Sequence, residues 1–477
     1  MKEMKNTKII CTIGPVSTNL EVIKEFVEAG MNVARLNFSH GDHEEQLERI
    51  KLIREVNELL GTNVAILLDT KGPEIRTHSF VGGEATIVKG STVNIHMNPI
   101  EGDANNFSIT YPQLINDVKV GGRILVNDGE LALLINEIDY ENQIIRCVAL
   151  GNAVLKNKRG INVPDIKLSM PYFSEKDKAD IAFGCEQDVD FIAASFVRRK
   201  EDVLEIREFL KSRNREDIKI IAKIENREGV ENLEEIIEVS DGVMVARGDL
   251  GVEVPIQDVP IIQSKIVRLC HQANKIVIIA TQMLESMINN PRPTRAEVSD
   301  VANAVLEGAD AIMLSGETAA GKYPIEAVRM MASIAKRMEK AIDYQKMLER
   351  AVEKGEPTIT NTIALSVADI ILKLDVSAIV APTVSGYTAR SISKFRPRVP
   401  ILALTPVKKV VKTLALNWGV HAMHVDFAGS SDQVFEQAMK ITKDVLGLKK
   451  GELVVITAGM PLRKVGSTNM IRIFEVD

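Results

Sequence analysis

The chain has 477 residues, of which 45% are hydrophobic and 26% are charged. This composition is typical of a globular protein, and the length predicts about two to four domains. The net charge of −6 and the aromatic content of 4% argue against a nucleic-acid-binding protein and against attraction to an anionic membrane surface. Any phosphate group must therefore be bound by local basic residues.

The four cysteines, Cys11, Cys147, Cys185 and Cys270, are far apart in the sequence. Their spacing lacks the paired pattern of zinc sites and redox motifs, and it is typical of proteins from a reducing compartment. The N-terminal segment has no apolar core of the secretory type, and no apolar run is long enough to cross a bilayer. We therefore expect a cytoplasmic protein.

Residues 1–71 alternate short apolar runs with amphipathic stretches, which is typical of βα units. The pattern predicts strands at Lys8–Ile13, Val33–Asn37 and Val64–Asp69. Helices are predicted between these strands, at Glu21–Glu28 and Glu44–Leu60. This part of the chain is therefore interpreted as the beginning of a parallel α/β domain.

Residues 72–167 follow a different pattern, with paired glycines and with strand-like segments separated by turn residues. Strands are predicted at Ala85–Val88, Arg123–Val126 and Ile144–Val148, and no long helix is predicted. The segment is therefore interpreted as a small β-barrel domain, a lid inserted into the α/β domain.

From residue 168 to residue 345 the βα rhythm returns. Five further strands are predicted, at Phe191–Ser195, Lys219–Lys223, Val243–Ala246, Ile276–Ala280 and Ala311–Leu314. The helical patterns between them include Val203–Lys211, Val259–His271 and Arg295–Leu306. Three strands before the insertion and five after it make eight, which predicts a closed (β/α)8 barrel. An open doubly wound sheet is the alternative, because periodicity alone does not show closure.

Residues 346–477 are predicted to form a third domain, an open α/β domain that follows a linker at Gly355–Thr358. Its strands are predicted at Ala378–Ala381, Ile401–Leu404, Ala422–Val425, Leu453–Thr457 and Ile471–Val476. The run 383–389 joins a strand to a helix, so it is a candidate phosphate pocket or an ordinary turn rich in capping residues. The fold class is thus α/β, a (β/α)8 barrel with an inserted small β-barrel domain and a C-terminal open α/β domain.

Polar side chains follow the predicted barrel strands at their C-terminal ends, where barrels of this type carry their active sites. The set comprises Arg35, Asn37, Ser39, Asp69, Thr70, Ser195, Lys223, Glu225, Asp249, Thr281, Gln282, Ser315 and Glu317. Any one of these groups could simply close a buried hydrogen-bond network. Desolvating so many of them without a function is costly, so we expect a common site at the barrel mouth.

The chemistry of these groups indicates what such a site binds. Glu225 and Asp249 supply hard carboxylate oxygens on neighbouring strands, which suits Mg²⁺, although a salt-bridged structural pair is the alternative. Arg35 and Lys223 supply positive charge, for which an anionic phosphorylated ligand is the natural partner. A further group offers several oxygens with one formal charge, which suits a monovalent cation: Asn37, Ser39, Asp69 and Thr70.

The run 246–251 (ARGDLG) joins the sixth predicted strand to a short helix. Backbone N–H groups in such a turn can hold a carboxylate or a phosphate group. A simple structural turn is the alternative, and the run alone does not decide between the two.

Seven stretches of the chain together resemble the pyruvate kinase family. They are TKIICTIGPVS (7–17), MNVARLNFSHG (31–41), LDTKGPEIR (68–76), KIENREG (223–229), VARGDLGVE (245–253), ATQMLESM (280–287) and MLSGETA (313–319). They occur in order along nearly the whole chain, and the stretches around 244–253 and 280–287 are specific to this family. The resemblance implies transfer of the phosphoryl group of phosphoenolpyruvate to ADP, the last step of glycolysis, by a homotetramer.

The resemblance also implies two kinds of metal ion. A divalent ion, Mg²⁺ or Mn²⁺, would be bound by Glu225 and Asp249. Glu74 matches the members that require K⁺, whereas members with Lys at this position manage without it. The potassium ion would be bound by Asn37, Ser39, Asp69 and the carbonyl of Thr70.

The same resemblance implies roles for residues that contact the substrates. Arg35 and Lys223 would contact the transferring phosphoryl group, and Thr281 with a water is the candidate relay for the proton that reaches the substrate methylene carbon. The substrate-binding set would be Arg35, Lys223, Gly248, Asp249 and Thr281. The nucleotide would be contacted by Asn37, Arg76 and Lys158.

In the C-terminal domain, the run 383–389 matches the effector-phosphate loop of allosteric members of the family. The expected contacts are Thr383, Ser385, Gly386, Tyr387 and Thr388. The facing loop would be 459–468, to which Arg463 and Lys464 could add positive charge. Some bacterial relatives carry a further phosphohistidine-like domain after the last strand, and we do not expect one in this chain.

Two other functions remain open from the sequence. One is a different barrel enzyme that acts on phosphoenolpyruvate or pyruvate, such as a lyase or a mutase; it could share the metal carboxylates but would not need the inserted lid or the potassium residues. The other is a non-catalytic sensor of sugar phosphates. The intact set of Arg35, Lys223, Glu225 and Asp249 argues against the sensor.

Overall fold

The chain begins with three parallel strands that alternate with two helices. The structure, a computed structural model, describes residues 4–352, 358–427, 429–461 and 466–477. The first elements are β1 (Lys8–Thr12), α1 (Leu20–Ala29), β2 (Val33–Asn37), α2 (His43–Leu60) and β3 (Ala65–Asp69). The side chains of Asn19 and Asp42 accept hydrogen bonds from the first backbone N–H groups of α1 and α2, so both helices begin at capped ends.

The inserted domain consists almost entirely of antiparallel strands. Its elements are β4 (Ile75–Arg76), β5 (Glu84–Ile87), β6 (Thr92–His96), β7 (Asn106–Ser108), α3 (Leu114–Asp117), β8 (Arg123–Val126), β9 (Leu131–Asp139), β10 (Ile144–Ala149), β11 (Ala153–Lys156) and β12 (Gly160–Asn162). Seven of the strands form one sheet in the order β4-β12-β8-β9-β10-β6-β7, and β5 pairs with β11. Apolar residues alternate along these strands and form a separate core, because one face of each strand is buried.

The chain then returns to the α/β domain. The elements are α4 (Glu175–Glu186), β13 (Phe191–Ala194), α5 (Lys200–Ser212), β14 (Lys219–Ile224), α6 (Arg227–Glu231), α7 (Leu233–Val239), β15 (Gly242–Ala246), α8 (Arg247–Glu253), α9 (Val259–Gln272), β16 (Ile276–Ala280), α10 (Arg295–Glu307), β17 (Ala311–Leu314), α11 (Gly316–Ala319) and α12 (Pro324–Glu339). Each predicted barrel strand agrees with the observed one to within one residue at both ends.

Eight parallel strands close into a barrel in the order β1-β17-β16-β15-β14-β13-β3-β2. Closure depends on the pairing of β1 with both β2 and β17. The predicted closed barrel is therefore confirmed, and the open doubly wound sheet is excluded. One apolar cluster fills the barrel interior, and a larger one lies between the strands and the surrounding helices.

The C-terminal part is an open α/β sheet. Its elements are α13 (Tyr344–Val352), α14 (Ile359–Lys373), β18 (Val376–Pro382), α15 (Tyr387–Ser393), β19 (Ile401–Thr405), α16 (Lys408–Thr413), β20 (Val420–His424), α17 (Ser431–Leu446), β21 (Leu453–Ala458) and β22 (Met470–Glu475). The strand order is β20-β19-β18-β21-β22, with β22 antiparallel to β21. Thr358 caps α14, whereas the other residues of the predicted linker, 355–357, lie outside the described residues.

The C-terminal domain is docked against the N-terminal end of the barrel. Leu416, from the segment after α16, is buried among the side chains that fill the barrel interior. Arg396 forms an ion pair with Asp310 at 2.9 Å, and Lys409 forms one with Asp190 at 2.9 Å. The docking leaves the opposite, C-terminal end of the barrel to the inserted domain. The residues at which the three domains divide stay predictions.

Among the residues that the structure describes, no helix combines the length and the apolar character that a membrane crossing requires.

Candidate active site

A buried network of charged groups lies at the C-terminal ends of β2, β3, β13 and β14. The Arg35 Nε donates to Asp69 Oδ2 at 2.6 Å. On the other side of Asp69, the Lys223 Nζ lies 3.1 Å from Asp69 Oδ1 and 3.0 Å from Glu225 Oε1. The Ser195 hydroxyl accepts from Lys223 at 2.7 Å. Four strand ends thus place an arginine, a lysine and two carboxylates in one contact network.

Burial and charge have opposite effects on the groups in this network. Burial would raise the pKa of Asp69, but the charges of Arg35 and Lys223 hold it below its ordinary value. Burial would likewise lower the pKa of Lys223, but Asp69 and Glu225 raise it above its ordinary value. These charges favour the ammonium form of Lys223 and the carboxylate form of Asp69.

Glu225 and Asp249 behave differently from Asp69, because each is buried close to a second acid. Burial, together with the charge of Asp249, raises the pKa of Glu225 to about 7 despite the nearby Lys223. Burial also raises the pKa of Asp249, and a hydrogen bond joins the two side chains. The Phe196 N–H donates to Glu225 Oε2 at 2.6 Å from a backbone with φ of 54°, a conformation that a phenylalanine rarely adopts. The site thus holds two carboxyl groups together at a cost.

The pair has the donor chemistry of a divalent-cation site. Among the described residues, no group of three His, Cys, Asp or Glu side chains could hold a metal ion by itself. Mg²⁺ differs from zinc in this respect, because it is commonly held by one or two carboxylates with water and substrate oxygens filling the other positions. Glu225 and Asp249 therefore fit Mg²⁺ or Mn²⁺ and do not fit an all-protein cage.

The four predicted potassium ligands lie on neighbouring strand ends. Asn37 and Asp69 are register partners of β2 and β3. The Ser39 N–H donates to Asn37 Oδ1 at 3.0 Å, and the Ser195 hydroxyl donates to the Thr70 carbonyl at 2.7 Å. The structure thus brings these oxygens to one edge of the network, next to the carboxylate of Asp69.

The predicted carboxylate-binding turn follows β15 and is held by the loop after β16. The Gly248 N–H donates to Thr281 Oγ1 at 2.8 Å, and the Thr281 hydroxyl donates to the Ala280 carbonyl at 2.6 Å. Thr281 has φ of 66°, which is uncommon for a β-branched residue. Arg247 spans the two loops, because it donates to the Thr281 carbonyl and forms two hydrogen bonds with Asp300. Gly248, Asp249 and Thr281 are thus brought together as expected.

A cavity of about 550 Å³ lies between this network and the inserted domain, and both Asp249 and Arg76 line it. Arg76 forms two hydrogen bonds of 2.7 Å with Glu74, and it also donates to the Lys158 carbonyl at 2.9 Å. Lys71 pairs with the same Glu74 at 3.0 Å. Of the predicted nucleotide residues, Arg76 lines the cavity on the side of the inserted domain, and Lys158 contacts it through its carbonyl. Asn37 instead lies at the end of β2, in the barrel.

The structure defines the contacts of two members of the polar set and of one residue outside it, none of which could be assigned from sequence patterns. Ser195 lies at the centre of the network, although its position at a strand end was its only signal. Arg159 lines the cavity beside Arg76, and nothing in the sequence distinguished it from Lys158. Glu317 accepts from the Leu284 and Ser315 N–H groups, so its carboxylate ties two loops together.

A second cavity, of about 530 Å³, lies in the C-terminal domain and is lined by Thr383, Ser385, Tyr387 and Thr388. Gly386, at φ of 76°, donates its N–H to Thr383 Oγ1 at 3.0 Å at the start of α15. The Thr388 hydroxyl is bonded to Thr468 Oγ1 at 2.9 Å. Ser430 and Ser431, at the N-terminus of α17, also line this cavity and were missed, because they are far away in the sequence. Arg463 and Lys464 lie outside the described residues.

Comparisons with known proteins agree with this geometry. A family model described as "Pyruvate kinase, barrel domain" matches residues 4–328, and one described as "Pyruvate kinase, alpha/beta domain" matches residues 361–474. A pyruvate kinase of Geobacillus stearothermophilus is 52% identical over 472 residues, which cover 99% of this chain and 80% of the relative. Pyruvate kinases of Bacillus licheniformis and Staphylococcus aureus (strain MRSA252) are 51% and 50% identical over 473 residues, covering 99% of this chain and 81% of each relative. The chain belongs to the pyruvate kinase family.

Proposed function

We propose that this chain transfers the phosphoryl group of phosphoenolpyruvate to ADP, giving pyruvate and ATP, as the final reaction of glycolysis. The observation that carries the proposal is the contact network of Arg35, Asp69, Lys223 and Glu225 beside Asp249 at one end of a closed barrel. Phosphoryl transfer needs little covalent help from a protein, but it needs neutralised charge and an in-line arrangement. A buried ammonium and a half-buried guanidinium beside two carboxyl groups supply that environment.

Arg35 and Lys223 are the groups we assign to the transferring phosphoryl oxygens. Both are held in place by Asp69, so their charges are already oriented before a substrate binds. Departure of the phosphoryl group leaves an enolate, and the Lys223 ammonium is suited to hold its negative oxygen. Because the charges of Asp69 and Glu225 keep Lys223 protonated despite its burial, it acts here as a fixed charge and does not act as a proton donor.

Glu225 and Asp249 are the residues we assign to a divalent ion, Mg²⁺ or Mn²⁺. When bound, this ion would supply positive charge to the oxygens of the substrates. Its binding would also relieve the repulsion of two neighbouring acids whose pKa values burial raises. The pair therefore makes sense as a binding site, whereas a purely structural role would leave the cost of burying it unexplained.

We assign K⁺ to the oxygens of Asn37, Ser39, Asp69 and Thr70. The group carries one formal charge, since Asp69 is its only ionised member, and this suits a monovalent cation better than a bare divalent one. Glu74 is the residue that marks members of the family requiring K⁺. Its carboxylate pairs with both Lys71 and Arg76, so it holds these two side chains near the proposed nucleotide position.

We assign the substrate carboxylate to the turn at Gly248 and Asp249 together with Thr281. Thr281 is also the candidate relay for the proton that must reach the methylene carbon of the enolate. A hydroxyl is a poor acid at neutral pH, so Thr281 would act with a water molecule. The nucleotide phosphates would lie near Asn37, Arg76 and Lys158.

A coupled assay tests the activity directly. Pyruvate formed from phosphoenolpyruvate is reduced by lactate dehydrogenase, and ATP is measured in parallel. We expect both products in equal amounts and only when ADP is present. Pyruvate that forms without ADP would indicate a lyase or a phosphatase, and consumption of phosphoenolpyruvate without pyruvate would indicate a mutase. Either result would contradict the proposal.

A phosphorylated effector is the second ligand that we propose, bound at the cavity of the C-terminal domain. Thr383, Ser385 and Ser430, each of which carries a hydroxyl, line a space of about 530 Å³, and the turn at Gly386 adjoins it in the chain. Hydroxyls and turn N–H groups are suitable partners for a phosphate group. An affinity series with fructose 1,6-bisphosphate, ribose 5-phosphate and AMP tests the site, and no saturable binding of any of them would remove it. Saturable binding by a protein that forms no ATP would favour a sensor.

We also propose that the chain assembles into a homotetramer. The family resemblance carries this proposal, and Ile256 and Ile261, which are 75% and 69% exposed, are candidates for the surface that another copy covers. Sedimentation equilibrium measures the state, and a monomer at micromolar concentration would contradict the proposal.

A further inference from the structure

The inserted domain is joined to the barrel by two adjacent segments of chain. The outgoing segment enters β4, and the returning segment leaves β12 at Asn162 before it reaches α4. β4 and β12 pair with each other, with Ile75 opposite Ile161. Because the two connections run side by side, they form one hinge. The orientation of the inserted domain over the barrel mouth therefore depends on what holds the returning segment, 162–167.

Two side chains of the barrel contact this segment, and Arg198 donates to carbonyls of the residues that follow it. The Asn162 Nδ2 donates to Glu253 Oε1 at 2.8 Å. The Arg227 Nε lies 2.7 Å from Asp165 Oδ1. The second contact contributes less, because Arg227 and Asp165 are 41% and 64% exposed and water screens their attraction. We call the bond between Asn162 and Glu253 the hinge contact.

The hinge contact reaches the barrel on the same helix that carries a proposed metal carboxylate. Glu253 is the last residue of α8, and Asp249 lies one turn earlier in that helix. A helix of seven residues moves as a rigid unit, so the position of Asp249 and that of Asn162 are linked. Val252 of the same helix faces the inserted domain at Gly129, where an added Cβ would lie 3.8 Å from its Cγ1.

The chemistry of the hinge contact makes it stronger than an ordinary surface bond. Its acceptor is a carboxylate, and hydrogen bonds to charged groups are roughly twice as strong as neutral ones. Glu253 is half-buried, so water competes less for it. Burial raises the pKa of Glu253, while the bond from Asn162 opposes that rise. A half-buried acid with one specific amide partner is well placed to hold the hinge.

We propose that Asn162 and Glu253 are positioning residues, which hold the inserted domain at the angle that closes the cavity over the Glu225–Asp249 pair. The inference rests on the proposed function, because closure matters where phosphoryl transfer must exclude water. Both residues line the cavity, but neither belongs to the groups that we assign to the reacting atoms. Their contribution is to the binding of the nucleotide, which must contact the barrel and the inserted domain at the same time.

Steady-state kinetics separate this role from a merely structural one. In Asn162→Ala we expect the KM for ADP to rise about tenfold, while kcat falls less than about threefold, because the lost bond to a charged group served binding. A structural defect would reduce the amount of active enzyme, so kcat would fall and KM would stay unchanged. That pattern would overturn the proposal.

Conservative and double variants sharpen the test. Glu253→Gln keeps an amide oxygen that accepts from Asn162, so its KM for ADP should stay within about threefold of wild type, because a neutral hydrogen bond replaces a charged one. Glu253→Ala should match Asn162→Ala, and the double variant should be no worse than either single one, because both remove the same bond. Additive effects would contradict the assignment. If Glu253→Ala fails to fold, the proposal is tested by Asn162→Ala and Glu253→Gln alone, through their KM values for ADP.

Asn142→Ala is the matched control. Its Nδ2 donates to the Asp139 carboxylate at 2.9 Å, so it also loses an amide–carboxylate bond, but both partners lie within the inserted domain. Its KM for ADP should equal that of wild type. An equal rise in Asn142→Ala and Asn162→Ala would overturn the proposal, because the effect would then not depend on the hinge.

A distance measurement separates failure of this inference from failure of the proposed function. Spin labels at Lys119→Cys, in the inserted domain, and at Glu205→Cys, on α5, report the angle between the two domains; both side chains are exposed. Removing the hinge contact by Asn162→Ala should broaden the distance distribution, and Asn142→Ala should leave it unchanged. If wild type forms no ATP, the function fails while this test still stands. Identical distributions in wild type and Asn162→Ala would contradict the hinge contact itself.

Discussion

The barrel buries ion pairs at both of its ends, and the two ends differ in what lies beyond the charges. At the C-terminal end, Lys223 pairs with Asp69 and Glu225. Beside this network, Asp249 lines a cavity of about 550 Å³. At the N-terminal end, Arg396 pairs with Asp310, and both side chains are less than 5% exposed. The same kind of interaction thus faces a ligand-sized space at one end and a packed interface at the other.

The two ends differ in the partners of their buried carboxylates. Asp310 accepts from Arg396, from the Trp418 N–H and from the Val277 N–H, so its carboxylate is saturated by the protein. Glu225 also has protein partners, Lys223 and the Phe196 N–H. Unlike Asp310, however, it lies against a second acid, Asp249, and burial raises the pKa of both. Saturated charges stabilise a fold, whereas two acids held together are suited to bind something positive. Burial of charge alone therefore does not identify a functional site.

The largest effect that we expect tests the C-terminal end of the barrel, which we call the open end because a cavity adjoins it. Replacing Lys223 with methionine (Lys223→Met) keeps the length of the side chain but removes the ammonium group from the proposed position of the phosphoryl group and the enolate. Loss of one oriented electrostatic partner costs about 10²–10³ in rate, and loss of this one should cost at least about 10³ because it has two tasks. The measurement is kcat in the coupled assay.

The control for Lys223→Met is Lys219→Met. Lys219 begins the same strand at the other end of the barrel, and its nearest acid, Asp241, is 3.8 Å away. It should keep normal turnover. Binding of Mn²⁺, followed by electron paramagnetic resonance, should persist in Lys223→Met, because Glu225 and Asp249 remain. Turnover within tenfold of wild type would refute the role of Lys223.

The N-terminal end of the barrel, which we call the closed end because the C-terminal domain packs against it, should respond in the opposite way: a substitution there should reduce stability and leave substrate binding unchanged. Arg396→Met leaves Asp310 buried without its cation, and breaking a buried ion pair costs about 3–5 kcal/mol of unfolding free energy. Urea unfolding measures this loss, while KM for both substrates of the folded enzyme should stay unchanged. Arg398→Met is the matched control, because Arg398 is 42% exposed and its acid partner is 3.8 Å away. Equal destabilisation by the two variants would remove the distinction between the ends.

The sequence was sufficient to predict the open end and not the closed one. Buried parallel strands have a recognisable length and apolar pattern, so the eight strand ends and their polar residues were found with Lys223 and Glu225 among them. Because such ends meet at one mouth, convergence followed from the topology. Leu416, in contrast, is one apolar residue among many, and its place inside the barrel depends on how two domains dock.

Contacts between domains were the part that sequence patterns could not supply. Asn162 and Glu253 are separated by 91 positions. Asn162 stands in no pattern that singles it out, and Glu253 ends the family stretch 245–253 without a role assigned to it. The strained backbone at Phe196 is equally hidden, because a phenylalanine gives no signal of a positive φ. Glu317 carried the signal of a site residue, yet its carboxylate binds backbone N–H groups. Local patterns predict elements, whereas side-chain partners depend on tertiary packing.

Removal of potassium also tests the open end, and we expect a smaller loss of rate than for Lys223→Met. If Asn37, Ser39, Asp69 and Thr70 hold K⁺, that ion adds one positive charge close to the phosphoryl position. A unit charge a few ångströms away is worth several kcal/mol at intermediate dielectric, so we expect at least about a tenfold loss of rate without it. The coupled assay is run in potassium buffer and in tetramethylammonium buffer at equal ionic strength. Equal rates in the two buffers would contradict the site.

The smallest effect that we expect concerns the C-terminal domain, whose helix α15 runs between the second cavity and the closed end of the barrel. Ser385→Ala removes one hydroxyl from the proposed effector pocket, and a single hydrogen bond of about 0.5–1.5 kcal/mol corresponds to roughly a two- to tenfold loss of affinity. Calorimetric titration with whichever phosphorylated ligand binds wild type most tightly measures it. Rates without effector should stay unchanged, because the closed end is saturated by its own partners. Ser366→Ala, on α14, is the control and should bind the ligand normally; unchanged affinity in Ser385→Ala would place the effector elsewhere.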